Sequence, residues 1–382
     1  MNTHSYRFVC ALVSVVTSLL VCASHVSAAI LPAAEEGSVH VNHIDLHYRV
    51  QGAGETIIFI HGMLSNYQVW DNYTPAFVNK YQVITYSRRN NWPNVNKFLI
   101  TRDPLAVDRD DIYWLMRHRK ILKAHLVGEG YGAAVALAFA ARYPTMTSSV
   151  SLIEPALLRW LVDEPGQNVA WQQFVDSAYV PAKRDILAAS IEPAVKAYVE
   201  NVQPGDLQTM APADLSAMYR SVNDLRAALL ATGGYPSIDR LDVRKVRIPV
   251  LVVIAEKAPA SFDAIGREVA TITGGGPVDV VKGVNRAMSP ASVKDVEASI
   301  VSFLGSIPPA VDATAPVVPV VKPMPPAAPT KPTTPPVTAK PTVATPAGKP
   351  VDAPVAPATP TGVKPGTSAV PVVPPVPSAP AK

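Results

Sequence analysis

Residues 125–132 read HLVGEGYG, a short apolar run that passes into three glycines at alternate positions. The apolar part is too short for a helix and ends at a glycine, which predicts a buried strand. Residues 131–143 are rich in alanine and stop before Pro144, which predicts a helix. The stretch therefore predicts a strand that enters a helix through a tight turn at Gly130, because small flanking residues leave room for such a turn.

Outward from this turn, short apolar segments alternate with helical segments between Val39 and Phe303. This alternation predicts an α/β fold with a mostly parallel sheet that is doubly wound by helices. After Pro155 the pattern is helical for about 85 residues, which predicts a helical cap at about residues 156–240. The predicted strands lie at 39–50 (a hairpin that turns at Asn42 and His43), 56–60, 83–86, 125–127, 150–153, 249–254 and 278–281, and the predicted helices at 104–119, 131–143, 169–178, 193–201, 212–230 and 292–304.

The two ends of the chain differ in composition from the middle. Residues 1–28 carry Arg7, an apolar run and the small-residue sequence VSA at 26–28, which together predict a signal peptide. The apolar run is shorter than the roughly 20 residues that cross a bilayer, which disfavours a retained anchor. Residues 307–382 contain 23 of the 39 prolines and no aromatic residue, so we expect a disordered, extended tail rich in Pro, Ala, Val and Thr. Residues 29–306 are then the folded domain.

The charge is distributed unevenly between the domain and the tail. The tail has six Lys and two Asp, whereas residues 29–306 have 27 basic and 28 acidic side chains. A nucleic-acid partner needs a basic folded face, so none is predicted. We expect the tail to contact an anionic surface of the cell envelope, and its composition permits O-glycosylation. Both cysteines lie in residues 1–28, so the exported chain, whether periplasmic, secreted or held in the envelope, is predicted to have no disulfide and no thiol nucleophile.

Four motifs, in this order, resemble landmarks of the α/β-hydrolase superfamily, and a fifth segment resembles the loop before its last helix. The similarity spans residues 39–305 and does not cover the tail. It implies an α/β-hydrolase fold with an active site at the strand-to-helix turn. The motifs are IFIHGM at 58–63, VITYSRR at 83–89, HLVGEGYG at 125–132 and SLIEP at 151–155, and the loop segment is VKGVNRAM at 281–288.

The resemblance also identifies what the catalytic triad lacks. The turn in the family reads Gly-x-Ser-x-Gly, and here Gly130 stands at the serine position. Arg286 stands at the histidine position, and because arginine stays protonated at physiological pH it cannot act as a general base. The family places its acid after one of two strands, where this chain has Glu154 or Ala258, and the subgroup resemblance favours Glu154. The triad is therefore degenerate, as in a pseudoenzyme.

Substitute catalytic groups find little support in the sequence. Ser65 and Ser87 lie on loops at the predicted active edge, but neither has a candidate histidine partner. Glu129, beside Gly130, could be a carboxylate nucleophile, although a structural role fits its position better. The glycines at 128–132 do not match the nucleotide-binding spacing, so no cofactor is predicted. No metal is predicted either, because the hairpin histidines lie on a strand that points neighbours to opposite faces; they are His40, His43 and His47.

Two main hypotheses of function remain, one non-catalytic and one enzymatic. In the first, the domain is a binding or sensing module whose capped pocket holds a small apolar carboxylate. Its candidate ligand-binding groups are the amides of Met63 and Tyr131 and the side chain of Arg286, with His61 as a fourth candidate. Arg286 could instead pair with Glu154 inside the pocket and fill it. In the second hypothesis the chain hydrolyses an ester or related bond through a non-standard nucleophile; a purely structural role with a collapsed pocket is a third.

Overall fold

The computed structural model describes residues 31–162, 166, 168–202 and 206–308, all within one unit of the chain, Met1–Asp312. The predicted signal peptide and the predicted tail beyond residue 308 lie outside the described residues.

A sheet of eight strands forms the centre of the described residues. In chain order the strands are β1 (Glu35–Val41), β2 (Ile44–Gln51), β3 (Glu55–Ile60), β4 (Tyr81–Tyr86), β5 (Ala124–Glu129), β6 (Thr147–Ile153), β7 (Val250–Ala255) and β8 (Val278–Val281). Their order across the sheet is β1-β2-β4-β3-β5-β6-β7-β8. The pairs β1–β2 and β2–β4 are antiparallel and the others are parallel, which confirms the predicted mostly parallel sheet.

Helices flank the sheet, and a helical insert separates β6 from β7. In chain order they are α1 (Pro104–His118), α2 (Tyr131–Arg142), α3 (Asn168–Phe174), α4 (Val180–Leu187), α5 (Ile191–Val202), α6 (Asp206–Thr209), α7 (Pro212–Arg220), α8 (Val222–Leu230), α9 (Arg240–Val243), α10 (Ala260–Ile272) and α11 (Val293–Ser306). A π-helical turn spans Val175–Tyr179, and 3-10 turns span Tyr67–Trp70, Thr74–Ala76, Pro144–Met146, Leu158–Val162 and Pro290–Ser292. Within the described ranges, no helix is both long and apolar enough to cross a membrane.

The core lies on both faces of the sheet. On β3, Ile58 and Ile60 pack into the cluster that includes the helical insert, whereas Ile57 and Phe59 pack into the cluster that includes α11. All four side chains are fully buried, as expected for a central parallel strand whose two faces are covered. This burial explains why the strand reads as a continuous apolar run.

The structure corrects the predicted helices in three places. The single helix predicted at 212–230 is two helices, α7 and α8, that meet at Ser221, whose side chain donates a hydrogen bond to the Ala217 carbonyl at 2.9 Å. The helix α4 lies within the predicted helical cap but was given no bounds of its own, and the helix α10 was not predicted. Gly266 lies inside α10 against Ile254 and Val252, and an internal glycine weakens the helical signal in a sequence.

Candidate functional site

The topology gathers the ends of three neighbouring strands at one edge of the sheet. Ile60 of β3 is in register with Gly128 of β5, and Glu129 of β5 is in register with Ile153 of β6. The segments that follow β3, β5 and β6 therefore begin side by side. In open α/β sheets, this carboxyl edge is where ligands bind.

Gly130 forms the turn between β5 and α2 with the backbone of a strained nucleophile turn. Its φ is +56° and its ψ is −115°. Its N–H donates to the Ile153 carbonyl at 2.9 Å, and its own carbonyl accepts from the Ala156 N–H at 3.0 Å. A Cβ at Gly130 would meet no atom within 4 Å. The turn predicted from the sequence is therefore formed, with open space where the side chain of a nucleophile would stand.

The flanking glycines, by contrast, are required by close contacts. A Cβ on Gly132 would collide with the carbonyl oxygens of Ile60 and His61, and a Cβ on Gly128 would collide with the backbone of Gly132. Because Gly128 and Gly132 have no side chains, α2 can approach β3 closely. Gly128 and Gly132 hold the shape of the turn, whereas Gly130 determines its chemistry.

Arg286 lies in the loop after β8, and its side chain reaches Glu129, the residue that precedes Gly130 in the turn. Its Nη2 donates to Glu129 Oε1 at 3.2 Å. The Glu129 side chain is buried, whereas about a quarter of the Arg286 side chain is exposed. The second carboxylate oxygen of Glu129 lies against Gly62, where a Cβ would collide with it. The histidine position therefore holds a cation that is paired with the residue beside Gly130.

Glu154 follows β6 and is the acid that the structure places at the site. Its Oε1 accepts from the N–H groups of Ala287, at 3.1 Å, and Ala255, at 3.3 Å. Burial raises the pKa of Glu154 to about 7, although the Ala287 amide and the Arg286 charge lower it. The alternative position, Ala258, packs against the core cluster that includes α11 and does not line the cavity described below. Glu154 has a φ of +46°, and strained residues of this kind cluster at functional sites.

The His61 side chain hydrogen-bonds to the protein backbone and supports the neighbouring turn. It is fully buried; its Nδ1 donates to the Gly62 carbonyl at 2.9 Å and its Nε2 accepts from the Arg88 N–H at 2.9 Å. Burial and the charge on Arg88 lower the pKa of His61 to about 3, so the ring is neutral at physiological pH. His61 does not line the cavity described below. The structure therefore supports a role for His61 in positioning the turn in place of the predicted role in ligand binding.

A buried ion pair ties the helical insert to this turn. Arg88 donates to both carboxylate oxygens of Asp224 on α8, at 2.8 and 2.6 Å, and to the Gly62 carbonyl at 2.8 Å. Asp224 also accepts from the Leu64 N–H at 2.9 Å. Burial favours the neutral carboxyl, but the Arg88 guanidinium holds the pKa of Asp224 below its usual value. The turn that carries Met63 is thus fixed by a residue of the insert.

These elements enclose a cavity of about 230 Å³. Gly130, Glu154 and Arg286 all line it, so the three triad positions predicted from the sequence converge. Met63 and Tyr131 line it as well, and Tyr131 is the first residue of α2, where backbone amides lack intrahelical acceptors. The helical insert covers the cavity with Tyr198, Val199, Val202 and Met218.

Several lining residues were not identified from the sequence. Lys257 and Asn285 lie on the loops after β7 and β8, close to the degenerate positions Ala258 and Arg286. Their place beside those positions is the only signal that could have indicated them. The cavity thus contains two cations, Lys257 and Arg286, and two carboxyl groups.

Two of the hairpin histidines, His40 and His47, form hydrogen bonds with single carboxylates. His40 Nδ1 lies 2.8 Å from Asp45, and His47 Nε2 lies 3.1 Å from Glu36. Across the part of the chain that the structure describes, no group of three or more His, Cys, Asp or Glu side chains is arranged to hold a metal ion.

Comparison with known proteins places this chain in a family. Residues 55–261, more than half of the chain, match the model of the alpha/beta hydrolase fold. The chain is 26% identical over 275 residues to a 2-(acetamidomethylene)succinate hydrolase of Mesorhizobium japonicum, covering 70% of this chain and 94% of that protein.

Solved structures show the same fold at lower identity. An enol-lactonase from Burkholderia xenovorans superposes with a TM-score of 0.53 and 19% identity, over 70% of this chain and all of that one. A thermophilic esterase from Thermogutta terrifontis superposes with a TM-score of 0.55 and 17% identity, over 72% of this chain and 99% of that one. The chain therefore belongs to the alpha/beta hydrolase fold family.

Proposed function

We propose that the cavity binds a small, largely apolar molecule that carries a carboxylate, and that the chain does so as a binding or sensing module and not as a serine hydrolase. The observation that carries the proposal is that Gly130 and Arg286 line the same cavity as Met63 and Tyr131. The features of an anion site are kept, while the groups that would attack an ester are replaced.

Catalysis through an acyl-enzyme requires a hydroxyl and a base at this turn. Gly130 has no side chain, and the guanidinium of Arg286 remains protonated. Because the members of a triad act as a unit, Glu154 alone recovers little of the rate that the complete triad provides. We therefore expect no serine-hydrolase turnover at this turn.

The charges and the apolar cover together select the ligand. Lys257 and Arg286 supply two positive charges, and the pair with Glu129 fixes where the Arg286 guanidinium lies. A carboxylate placed beside these charges gains charge-assisted hydrogen bonds. Val199 and Met218 of the insert add apolar surface to the cavity, which suits a hydrocarbon or aromatic body.

Calorimetry with matched probes tests this proposal. We expect phenylacetate or hexanoate to bind more tightly than the corresponding neutral amide, and Arg286→Ala to weaken carboxylate binding by at least about tenfold, the loss of one charge-assisted contact. Lys282→Ala is the control, because Lys282 is exposed, pairs with Glu256 and does not line the cavity. Equal affinity of the parent and Arg286→Ala for the carboxylates contradicts the proposal.

A second candidate function is hydrolysis of an ester or related bond through a nucleophile other than a serine at residue 130. One observation favours it: Glu154 lines the cavity and burial raises its pKa to about 7, which suits proton transfer from a water molecule. The named relatives include hydrolases and esterases. Labelling by a fluorophosphonate probe, or short-chain ester turnover well above that of Gly130→Ala and abolished by Glu154→Gln, would support this function over simple binding.

We also propose that the chain acts outside the cytoplasm. The support is the sequence of residues 1–28, and the cationic tail is proposed to contact the anionic cell envelope. Cell fractionation followed by N-terminal sequencing is expected to give an exported chain that begins at residue 29. A cytoplasmic protein that keeps Met1 contradicts this proposal.

A further inference from the structure

The loop between β4 and α1 displays apolar side chains to solvent. Val95 is 96% exposed, Leu99 is 60% exposed and Ile100 is 55% exposed. Lys97 lies between them in the chain and is also exposed. Single exposed apolar residues are ordinary, but three within six positions of one loop form a local cluster.

The backbone of this loop is held in place at both ends. Near its start, the Asn94 side chain accepts from the His47 N–H at 2.8 Å, and the Asn96 side chain accepts from the Asp45 N–H at 2.8 Å. Near its end, the Arg102 carbonyl accepts from the Gly233 N–H at 2.9 Å. The apolar side chains therefore point outward from a fixed loop, and their exposure does not come from a loosely attached segment.

Two arginines of the helical insert extend the same surface. The Arg226 guanidinium lies 4.6 Å from the ring centre of Phe98, and the Arg220 guanidinium lies 4.4 Å from the ring centre of Trp92. Trp side chains are enriched at membrane–water interfaces, and Trp92 lies three positions before Val95 in this loop.

The net charge of this surface is positive. Lys97 and Arg102 are exposed on the loop and add to the two arginines of the insert. Two carboxylates border the loop: Asp45 lies 2.8 Å from His40 Nδ1, and Asp103 accepts from the Ala106 N–H at the start of α1. The four basic side chains therefore outnumber these two acidic ones. A surface of this charge is complementary to anionic lipid headgroups.

We propose that this loop patch, defined as Trp92, Val95, Lys97–Ile100, Arg102, Arg220 and Arg226, is a contact site for a membrane surface rich in anionic phospholipid. The aliphatic side chains enter the headgroup region while the basic side chains meet the lipid phosphates. A lipid surface fits better than a protein partner, because exposed apolar side chains share this surface with four basic side chains. This inference does not depend on which ligand fills the cavity.

Cosedimentation of the full chain with vesicles tests the proposal. We expect binding to vesicles of phosphatidylglycerol and phosphatidylcholine, and little binding to phosphatidylcholine alone. The triple variant Val95→Ser, Leu99→Ser, Ile100→Ser should bind at least about tenfold more weakly, since apolar insertion is lost. Lys97→Glu should weaken binding about fivefold or more at low salt, since one attractive charge becomes repulsive.

A matched control separates the patch from general stickiness and from the ends of the chain. Leu122 and Leu241 are 82% and 63% exposed and lie outside the loop patch, so Leu122→Ser, Leu241→Ser should bind vesicles like the parent. All variants keep residues 1–30 and 309–382, so a difference between them isolates the loop. The proposal is overturned if the parent ignores anionic vesicles or if the triple variant binds them equally well. It is also overturned if light scattering shows that the parent self-associates through this loop and vesicle binding is absent.

Discussion

Glu129 Oε1 accepts a hydrogen bond from Arg286 Nη2 at 3.2 Å. The residue that precedes Gly130 is therefore joined to the residue at the histidine position. The carboxylate of Glu129 is buried and needs a partner. A cation at the histidine position therefore stabilises a carboxylate beside the turn. The two departures from a hydrolase site, at Gly130 and at Arg286, leave a site with an internal charge balance.

Alanine at Gly130 and at Gly132 should have unequal effects. Gly130→Ala has room for its methyl group and is expected to lower the free energy of unfolding by about 1–3 kcal/mol, from its positive φ alone. Gly132→Ala would collide with two carbonyl oxygens and should cost more, at least about 3 kcal/mol. Urea denaturation of both variants checks this, and equal stabilities would show that α2 does not need its close approach to β3.

Restoring two side chains should restore reactivity toward a serine probe. Glu154 is already held by the Ala287 amide, so the double variant Gly130→Ser, Arg286→His completes a triad around it. We expect a fluorophosphonate to label residue 130 in the double variant. Gly130→Ser alone should stay unlabelled, and Gly130→Ser, Arg286→Gln serves as the control. An unlabelled but folded double variant would mean that residue 286 does not occupy the histidine position.

Loss of Asp224 should loosen the turn that carries Met63. Asp224→Ala leaves Arg88 short of a buried partner and the Leu64 N–H without its acceptor, so the free energy of unfolding should fall by about 3–5 kcal/mol. Asp263→Ala removes an exposed ion pair with Arg267 and should cost less than about 1 kcal/mol. Denaturation gives these values, and hydrogen exchange should report faster exchange of the Leu64 amide. Similar costs for the two variants would argue against a tie between insert and turn.

Glu154 should make stability depend on pH in a defined window. Its folded pKa of about 7 lies above the ordinary 4.5, so the folded state retains a proton that the unfolded state releases. The contribution of this group is therefore most favourable below pH 4.5 and is lost as the pH rises toward 7. Glu154→Gln stays neutral, so its stability relative to the parent should grow across this window by about 3 kcal/mol. Urea denaturation measures the stability difference between Glu154→Gln and the parent. If this difference does not change with pH, the pKa of Glu154 is not raised in the folded state.

The elements that decide the fold were readable from the sequence because each has a local signal. The strands are short apolar runs, and the hairpin turn at Asn42 and His43 was predicted where both residues have positive φ. The convergence of Gly130, Glu154 and Arg286 follows from the resemblance and from parallel strands ending at one edge.

What the sequence did not predict depends on contacts between distant parts of the chain. The pairing of Arg286 with Glu129, where a pairing with Glu154 had been considered, joins residues 157 positions apart. The tie from Asp224 to Arg88 spans 136 positions. A single sequence carries no periodicity or motif for such pairs, since they arise only when the insert and the loops are packed. For the same reason, the sequence predicts His61 as a ligand-binding residue, whereas in the structure both of its ring nitrogens bond to the protein backbone.

A methyl group at Gly62 would collide with the Glu129 carboxylate, so the two positions constrain each other in space. A larger residue at 62 would have to displace the carboxylate, and the displaced carboxylate would lose its hydrogen bond from Arg286 Nη2. We therefore expect residues 62, 129 and 286 to vary together among descendants of this chain. A glycine next to the turn thus restricts which amino acids a loop more than 200 residues downstream can accept.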